Sequence, residues 1–100
     1  MVEQLTRDQQ FVLKTEEVSR KFHDKNLLFK DAFLTHNDTI EECFEEISRQ
    51  FGKAQSKVKY ANSHLNVSSL QHDLTNLATY VIMTQIWLDE QGSQYTEVEK

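Results

Sequence analysis

The densest acidic cluster of the chain lies at residues 41–46, near the start of a predicted helix. With about 100° of rotation per residue, Glu41 and Glu45 share one flank of the face that packs on the core. Glu42 then points away from the core, and Glu46 lies on the opposite flank. Two carboxylates at positions i and i+4 can hold Mg²⁺, which prefers oxygen ligands and keeps several of its waters. The alternative interpretation is that these acids only complement the helix dipole.

A row of basic residues follows the acidic cluster on the same predicted helix. Arg49, Lys53 and Lys57 recur every four residues, and no acidic residue occurs between Ile47 and His72. Side chains at this spacing lie on one helix face, where they could hold the phosphates of a nucleotide. The alternative is a solvated face whose positive charges complement the C-terminal end of the helix dipole.

Asp73 and Asn76 supply further oxygen ligands, three residues apart on the predicted last helix. If that helix is an antiparallel neighbour of the third, both side chains can complete a cation site with Glu41 and Glu45. The alternative is that they are ordinary polar residues near a helix start. Cys43 has no Cys or His at metal-ligand spacing and no recognisable base, so we expect a small, partly buried residue and not a nucleophile.

Four helical segments are expected to position these residues. Three capping boxes, in which a side chain and a backbone N–H satisfy each other at a helix start, mark the first, third and fourth segments. The first segment is expected to end near His23 and the second to cover 27–33, with a continuation or a break between them left open. The third is expected to run past Gly52, and whether Gly52 breaks it also stays open. The three boxes are Thr6-x-x-Gln9, Thr39-x-x-Glu42 and Ser68-x-x-Gln71.

The apolar residues of the third segment alternate at spacings of four and three, the pattern of a helix that packs along its whole length. The last segment is apolar on nearly all sides between Leu74 and Leu88, which is typical of a buried helix. A chain of this size rarely covers such a helix alone, so we expect a homo-oligomer, most simply a homodimer. Residues 93–100 are expected to form a frayed acidic tail. The alternating row is Ile40, Phe44, Ile47, Phe51, Ala54, Val58, Ala61 and Leu65.

Composition limits the class of fold and of function. The 100 residues suffice for one domain, spanning 1–100. No proline and only two glycines leave a sheet protein without residues for its tight turns. We therefore expect an all-α, four-helix bundle-like fold with the long third helix antiparallel to the last. The net charge of −5 argues against general nucleic-acid binding. Short apolar runs, no signal-peptide pattern and a single cysteine predict a cytoplasmic protein without a membrane partner.

Two stretches resemble a known family. The segment KNLLFKDAF at residues 25–33 is similar to the segment KNxxYGDAF of the nucleotide-modification-associated family of small helical phage and bacterial proteins. Residues 69–83, with Leu77-Ala78-x-Tyr80, resemble the closing helix of that family. Phe29 and Lys30 stand where the family has Tyr and Gly.

That family in turn resembles the MazG-type all-α NTP pyrophosphatases, in which Glu-Glu-x-x-Glu and a later Glu-x-x-Asp hold Mg²⁺ against a nucleoside triphosphate. Glu41-Glu42-x-x-Glu45 matches the first of these motifs. In the closing helix, His72 and Asn76 stand where the family has two aspartates, which leaves Asp73 as the carboxylate nearby. The resemblance therefore implies either weak metal binding or a member that binds without hydrolysing.

The resemblance implies a nucleotide-binding, MazG-like protein, which is either a Mg²⁺-dependent NTP pyrophosphohydrolase or a degenerate non-catalytic relative. On that basis a carboxylate, taken to be Glu42, orients the attacking water, and Lys53 and Lys57 hold phosphates. The alternative function is a non-catalytic helical interaction module, such as a phage or accessory protein, that binds its partner through Tyr80, Met83 and Trp87. The expected metal ligands are Glu41, Glu45, Asp73 and Asn76.

Overall fold

The computed structural model describes residues 4–24, 27–62 and 64–95 of the chain. Four α-helices follow one another: α1 at Arg7–Asp24, α2 at Leu27–His36, α3 at Ile40–Lys59 and α4 at Val67–Gln91, with a short 3-10 turn at Gly92–Gln94. The described residues contain no strand, so the all-α prediction is confirmed. Lys25 and Asn26, where a break between α1 and α2 was left open, lie outside the described residues. None of the described helices is long and apolar enough to cross a membrane.

Two of the predicted capping boxes form at the expected positions. Before α1, the backbone N–H of Thr6 donates to Gln9 Oε1 at 2.8 Å, and the N–H of Gln9 donates to Thr6 Oγ1 at 3.1 Å. Before α3, Thr39 and Glu42 satisfy each other in the same reciprocal way. Each box uses two of the N–H groups that a helix start leaves without a partner, which explains why both helices begin there.

The connection between α3 and α4 differs from the prediction. The polar stretch 62–69 predicts the connection, but α3 ends at Lys59, so Ala61 and Leu65 of the apolar row both lie beyond the helix. α4 begins two residues earlier than the predicted Ser68 box, because the side chain of Asn66 accepts a hydrogen bond from the Ser69 N–H at 3.0 Å. Gly52 lies inside an unbroken α3, which answers the question that the sequence left open.

α3 and α4 pack closely against each other as antiparallel neighbours, as predicted. Lys57, near the end of α3, contacts Asp73 near the start of α4, while Cys43 lies in the same core cluster as Met83 and Trp87 at the other end of the pair. Residues at similar distances from the connection at 60–66 therefore face each other. α1 and α2 each pack on α4.

The core is small and lies where α2, α3 and α4 meet. Its buried apolar members are Phe33, Cys43, Tyr80, Met83 and Trp87. The rings of Phe33 and Tyr80 pack with their centroids 5.5 Å apart, and the indole N–H of Trp87 donates to the carbonyl of Asn37 at 2.8 Å. These contacts hold α2 and the turn that follows it against α4.

Tyr95 extends this core beyond α4. Its ring lies against Trp87 with the centroids 6.3 Å apart, and its hydroxyl accepts a hydrogen bond from the Ile40 N–H at 2.7 Å. The hydroxyl thereby satisfies one of the open donors at the start of α3. Residues 93–95, at the start of the expected tail, thus lie in or next to the 3-10 turn and contact the core through Tyr95, whereas 96–100 lie outside the described residues.

The alternating apolar row of α3 splits into an inner and an outer half. Ala54 is buried and Ile40 and Ile47 pack against the core, whereas Phe44 and Phe51 are more than half exposed. Within this chain, α3 therefore packs along only part of the row. A row at spacings of four and three covers a broad stripe of the helix, and α4 covers only one side of that stripe.

Candidate functional site

A polar cleft of about 530 Å³ opens between α2, the first half of α3 and the middle of α4. Carboxylates from successive turns of α3 form one wall, and aromatic residues of α2 and α4 form the base. The described residues that line it are Ala32, Phe33, Asn37, Glu42, Glu45, Glu46, Arg49 and Tyr80. Two of the sequence-predicted site residues, Glu42 and Glu45, are among them.

The sequence predicts that Glu42 points away from the core. In the structure its side chain instead turns back toward the start of α3 and lines the cleft. Its Oε1 atom accepts hydrogen bonds from the backbone N–H groups of Asp38 and Thr39 at 3.0 and 3.2 Å. The capping role explains its orientation, because the helix start needs an acceptor there. One oxygen of this carboxylate is thus committed to the helix start.

Glu46 interacts with residues of both α3 and α4 in the cleft. It pairs with Arg49 on the next turn of α3, and its Oε1 accepts a hydrogen bond from Gln50 Nε2 at 3.2 Å. Tyr80 of α4 also hydrogen-bonds to Glu46. Burial, together with the negative charge of this carboxylate and the hydrogen bond to it, raises the pKa of Tyr80 to about 12. The Tyr80 phenol is therefore protonated at neutral pH.

Glu45 and Glu41 are both exposed, but they differ in position. Glu45 lines the cleft, whereas Glu41, one turn earlier, lies outside the lining. Arg49 is the one basic side chain among the described lining residues. Three carboxylates against one guanidinium leave the lining two charges negative. A polyphosphate could therefore enter only with a cation that compensates its own charge.

Asp73 lies far from the cleft, in an ion pair with Lys57. Its side chain is 9 % exposed, and its Oδ2 atom is 2.6 Å from Lys57 Nζ but accepts no hydrogen bond of normal geometry. Lys57 Nζ also donates to Ser69 Oγ at 2.5 Å. The pairing neutralises the carboxylate that was expected to bind metal and engages a lysine that was expected to bind phosphate.

The four predicted metal ligands are therefore not brought together. Asp73 pairs with Lys57, which lies twelve residues after Glu45 on α3, or about 18 Å along the helix axis. Asn76 and Lys53 are likewise absent from the cleft lining. In the part of the chain that the structure describes, no group of three acidic, His or Cys side chains could hold a metal ion.

Three lining residues could not be placed in the cleft from the sequence. Arg49 was assigned to a phosphate row, although its i, i+3 spacing from Glu46 is that of a helical ion pair. Asn37 and Tyr80 reach the cleft through the packing of α2 and α4 on α3. No local pattern in the sequence indicates that packing.

The surface proposed for a protein partner is not available. Tyr80, Met83 and Trp87 are 6, 0 and 0 % exposed, because they form the core that α2 and α3 cover. The prediction that they bind a partner is therefore wrong. On this face of α4, the apolar side chains that suggested a partner surface pack in the core of the same chain.

Cys43 is fully buried in the same core. Burial raises the pKa of its thiol, which opposes formation of the reactive thiolate. This agrees with the expectation that it is not a nucleophile.

The cleft offers hydrogen-bond donors from Arg49 and Asn37 beside the carboxylate acceptors of Glu42 and Glu45. Its volume lies within the range of about 300–1,000 Å³ that is usual for small-molecule sites. No protein-family model, curated protein or solved structure matches this chain. An assignment of the ligand therefore depends on the chemistry of the cleft and on the sequence resemblance.

Proposed function

We propose that the chain binds a nucleotide as its Mg²⁺ complex in the cleft, as a degenerate relative of the MazG-like pyrophosphatases that hydrolyses poorly or not at all. One observation carries the proposal: Glu42 and Glu45, from the motif Glu41-Glu42-x-x-Glu45, lie in the same cleft as Arg49. A guanidinium beside carboxylates offers both partners that a magnesium polyphosphate needs, a cation for phosphate oxygens and oxygen ligands for the metal.

The cleft fits Mg²⁺ only when the nucleotide supplies part of the coordination. At nucleotide sites Mg²⁺ is commonly held by one or two carboxylates together with phosphate oxygens and water. Glu45 is exposed in the cleft, and the capping bonds of Glu42 use its Oε1 atom. Since the described residues lack a cluster of three ligands, we do not expect Mg²⁺ to bind without the nucleotide.

Weak or absent hydrolysis follows from the position of the other predicted residues. Asp73 is about 18 Å from Glu45 along the axis of α3 and is neutralised by Lys57. A second acidic motif from α4 is thus missing beside the cleft, and Lys53 lies outside its lining. The carboxylates that remain serve binding better than activation of water.

Thermal melting tests this proposal at fixed protein concentration, with Mg²⁺ alone, with each nucleoside triphosphate alone, and with both. A ligand at one hundred times its dissociation constant adds about 2.7 kcal/mol to the free energy of unfolding, which raises the midpoint by several degrees. We expect that rise only when metal and nucleotide are both present.

Glu45→Gln should abolish the rise, while Glu41→Gln serves as the matched control. Both changes remove one negative charge from the same exposed stretch of α3, but only Glu45 lines the cleft. An equal loss in both variants, or no rise with any nucleotide in the unmodified chain, would contradict the proposal.

We propose a helical interaction module as the second candidate function. The specific observation is that large apolar side chains on the outer faces of α3 and α4 are exposed, among them Phe44, Phe51 and Val81. Monomeric proteins rarely leave a contiguous surface of this kind open to water. Such a module and nucleotide binding in the cleft are compatible, because they use different surfaces.

A further inference from the structure

An apolar face runs along one side of the α3–α4 pair. Each helix contributes large apolar side chains spaced seven residues apart, and each of these is between 41 and 56 % exposed. Seven-residue spacing keeps side chains in one row along a helix that packs against another helix. We name this surface the outer face; its residues are Phe44, Phe51 and Val58 of α3 and Leu74, Val81 and Leu88 of α4.

Both rows lie on the same side of the helix pair. On α3, Phe51 is rotated by about 60–100° from the side that faces α4, which includes Gln50 and Ala54. On α4, Val81 is rotated by a similar angle, in the same sense, from the side that includes Asp73 and Thr84. In two antiparallel helices, equal rotations in the same sense point to the same side of the pair. The two rows therefore form one continuous surface.

The other described helices leave this surface open. α2 and the cleft lie on the opposite side, since Arg49 is rotated by about 160° from Phe51. α1 packs on a third side of α4, where Val18 and Phe22 approach Ile82 and Ile86. The outer face reaches the edge of the α1 contact at Leu74 but is not covered by it.

Charged residues are absent from the outer face. The helix positions at its two margins carry the uncharged Ser48 and Gln55 on α3 and Gln85 on α4, and Glu41 stands at the far end of the α3 margin. Charged residues make up 27 % of the chain, and the net charge is −5. A second copy can therefore approach most of this face without bringing like charges together, although the chain as a whole is acidic.

We infer that the outer face binds the outer face of a second copy of this chain, so that two α3–α4 pairs form a four-helix bundle across a two-fold axis. An apolar surface made by two antiparallel helices of similar length complements itself when rotated by 180°. The α3 row extends over fourteen residues, or about 21 Å, and the α4 row runs alongside it. The inference is independent of nucleotide binding, because the cleft lies on the opposite side.

The available area agrees with a dimer. Six large apolar side chains at roughly half exposure offer on the order of 500 Å² per copy, or about 1,000 Å² for the pair. This is close to the smallest area of a specific interface. The chain's own core is small, with five buried apolar residues in its main cluster, and burial in a dimer would add to it.

Sedimentation equilibrium of the full chain tests the inference. We expect a species of twice 11.8 kDa at micromolar concentration. A double variant, Phe51→Glu with Val81→Glu, should be monomeric with unchanged helical circular dichroism, because each copy would bury unpaired charges at the centre of the interface. We expect its dissociation constant to rise by about a hundredfold or more.

Phe11→Glu is the matched control. Phe11 lies on α1, which contributes no residue to the outer face, and is 71 % exposed, so its replacement should leave the dimer intact. If the unmodified chain is still a monomer at a concentration of about 100 µM, the inference is overturned. So would an unchanged dimer in the double variant.

A charge-reversal experiment keeps the inference testable even if one variant folds poorly. The acidic double variant is mixed with the corresponding basic variant, Phe51→Lys with Val81→Lys. The mixture should form a one-to-one heterodimer, since opposite charges meet whichever of the two positions faces the other across the axis. Absence of a heterodimer between two folded variants would also overturn the inference. Nucleotide-induced stabilisation, measured on the same variants, reports separately on the cleft.

Discussion

The Nζ atom of Lys57 lies 2.6 Å from Oδ2 of Asp73, and this ion pair joins the end of α3 to the start of α4. Lys57 also donates to Ser69 on the preceding turn of α4. A pair of charges at this position favours one alignment of the two helices, because sliding α4 by a turn would leave Asp73 without its cation. The same alignment places Tyr80 beside Glu46 and so completes the cleft.

Replacing Lys57 with methionine should destabilise the fold. Asp73 would lose its cation while nearly buried, which costs about 3–5 kcal/mol in a fully buried pair, whereas an exposed pair contributes about 0–1 kcal/mol. Because the Lys57 side chain is 38 % exposed, we expect a loss of about 2 kcal/mol. Urea unfolding measures it, and Lys53→Met, which removes an exposed lysine from the same helix, should change the free energy of unfolding by less than about 0.5 kcal/mol.

A double replacement separates this explanation from a loss of packing. If the cost comes from leaving Asp73 unpaired, then adding Asp73→Leu to Lys57→Met should recover most of the lost stability. If the double variant is as unstable as the single one, the ion pair is not the source of the loss.

The helix starts of α3 and α4 show what local sequence can and cannot predict. The Thr39-Glu42 box lies within four residues and was predicted correctly. At α4, Asn66 and Ser68 both fit a helix start, and the choice between them depends on where α3 ends. The polar stretch 62–69 predicts the connection there, but α3 already ends at Lys59. Local patterns therefore predicted the all-α fold and the antiparallel pair, but not the exact bounds of the connection.

The predicted metal ligands of α3 and α4 lie apart because of the geometry of a short connection. Two antiparallel helices pair at similar distances from the loop that joins them, here 60–66. Glu45 lies fourteen residues before the end of α3, while Asp73 lies six residues after the start of α4, so the two cannot be neighbours. Glu42 and Glu45 reached the cleft because they belong to one turn of one helix. Asn37 and Tyr80 could not be placed there without the packing of three helices.

Replacing Asn66 with alanine should destabilise the fold by about 1 kcal/mol, whereas Ser68→Ala should have less than about half that effect. The Asn66 side chain accepts from the Ser69 N–H, while Ser68 is exposed inside the first turn. Urea unfolding of the two variants compares the actual helix start with the one predicted from sequence. A larger loss in Ser68→Ala would mean that α4 begins at the later box.

Cys43 should react with a thiol reagent only when the chain opens. It is fully buried, and the raised pKa of its thiol lowers the fraction of thiolate. At pH 8 we expect the reaction in buffer to be slower than in denaturing urea by about a hundredfold or more, with its rate following the stability of each variant. Rapid reaction of the native chain would show that the core around Cys43 is accessible.

The stability of the chain should fall steeply at high pH because of Tyr80. Its pKa is raised from 10.0 to about 12 by burial and by the neighbouring Glu46 carboxylate. Between these values the unfolded chain loses the phenol proton while the folded chain keeps it, so the unfolded state binds fewer protons and the free energy of unfolding decreases as the pH rises. The stabilisation is fully present below pH 10 and is lost on approaching pH 12.

Tyr80→Phe should flatten this part of the profile in urea unfolding. Tyr60→Phe, at a side chain that is 71 % exposed, should leave the profile as steep as in the unmodified chain. Equal slopes in all three chains would show that the phenol of Tyr80 is not held protonated by its surroundings.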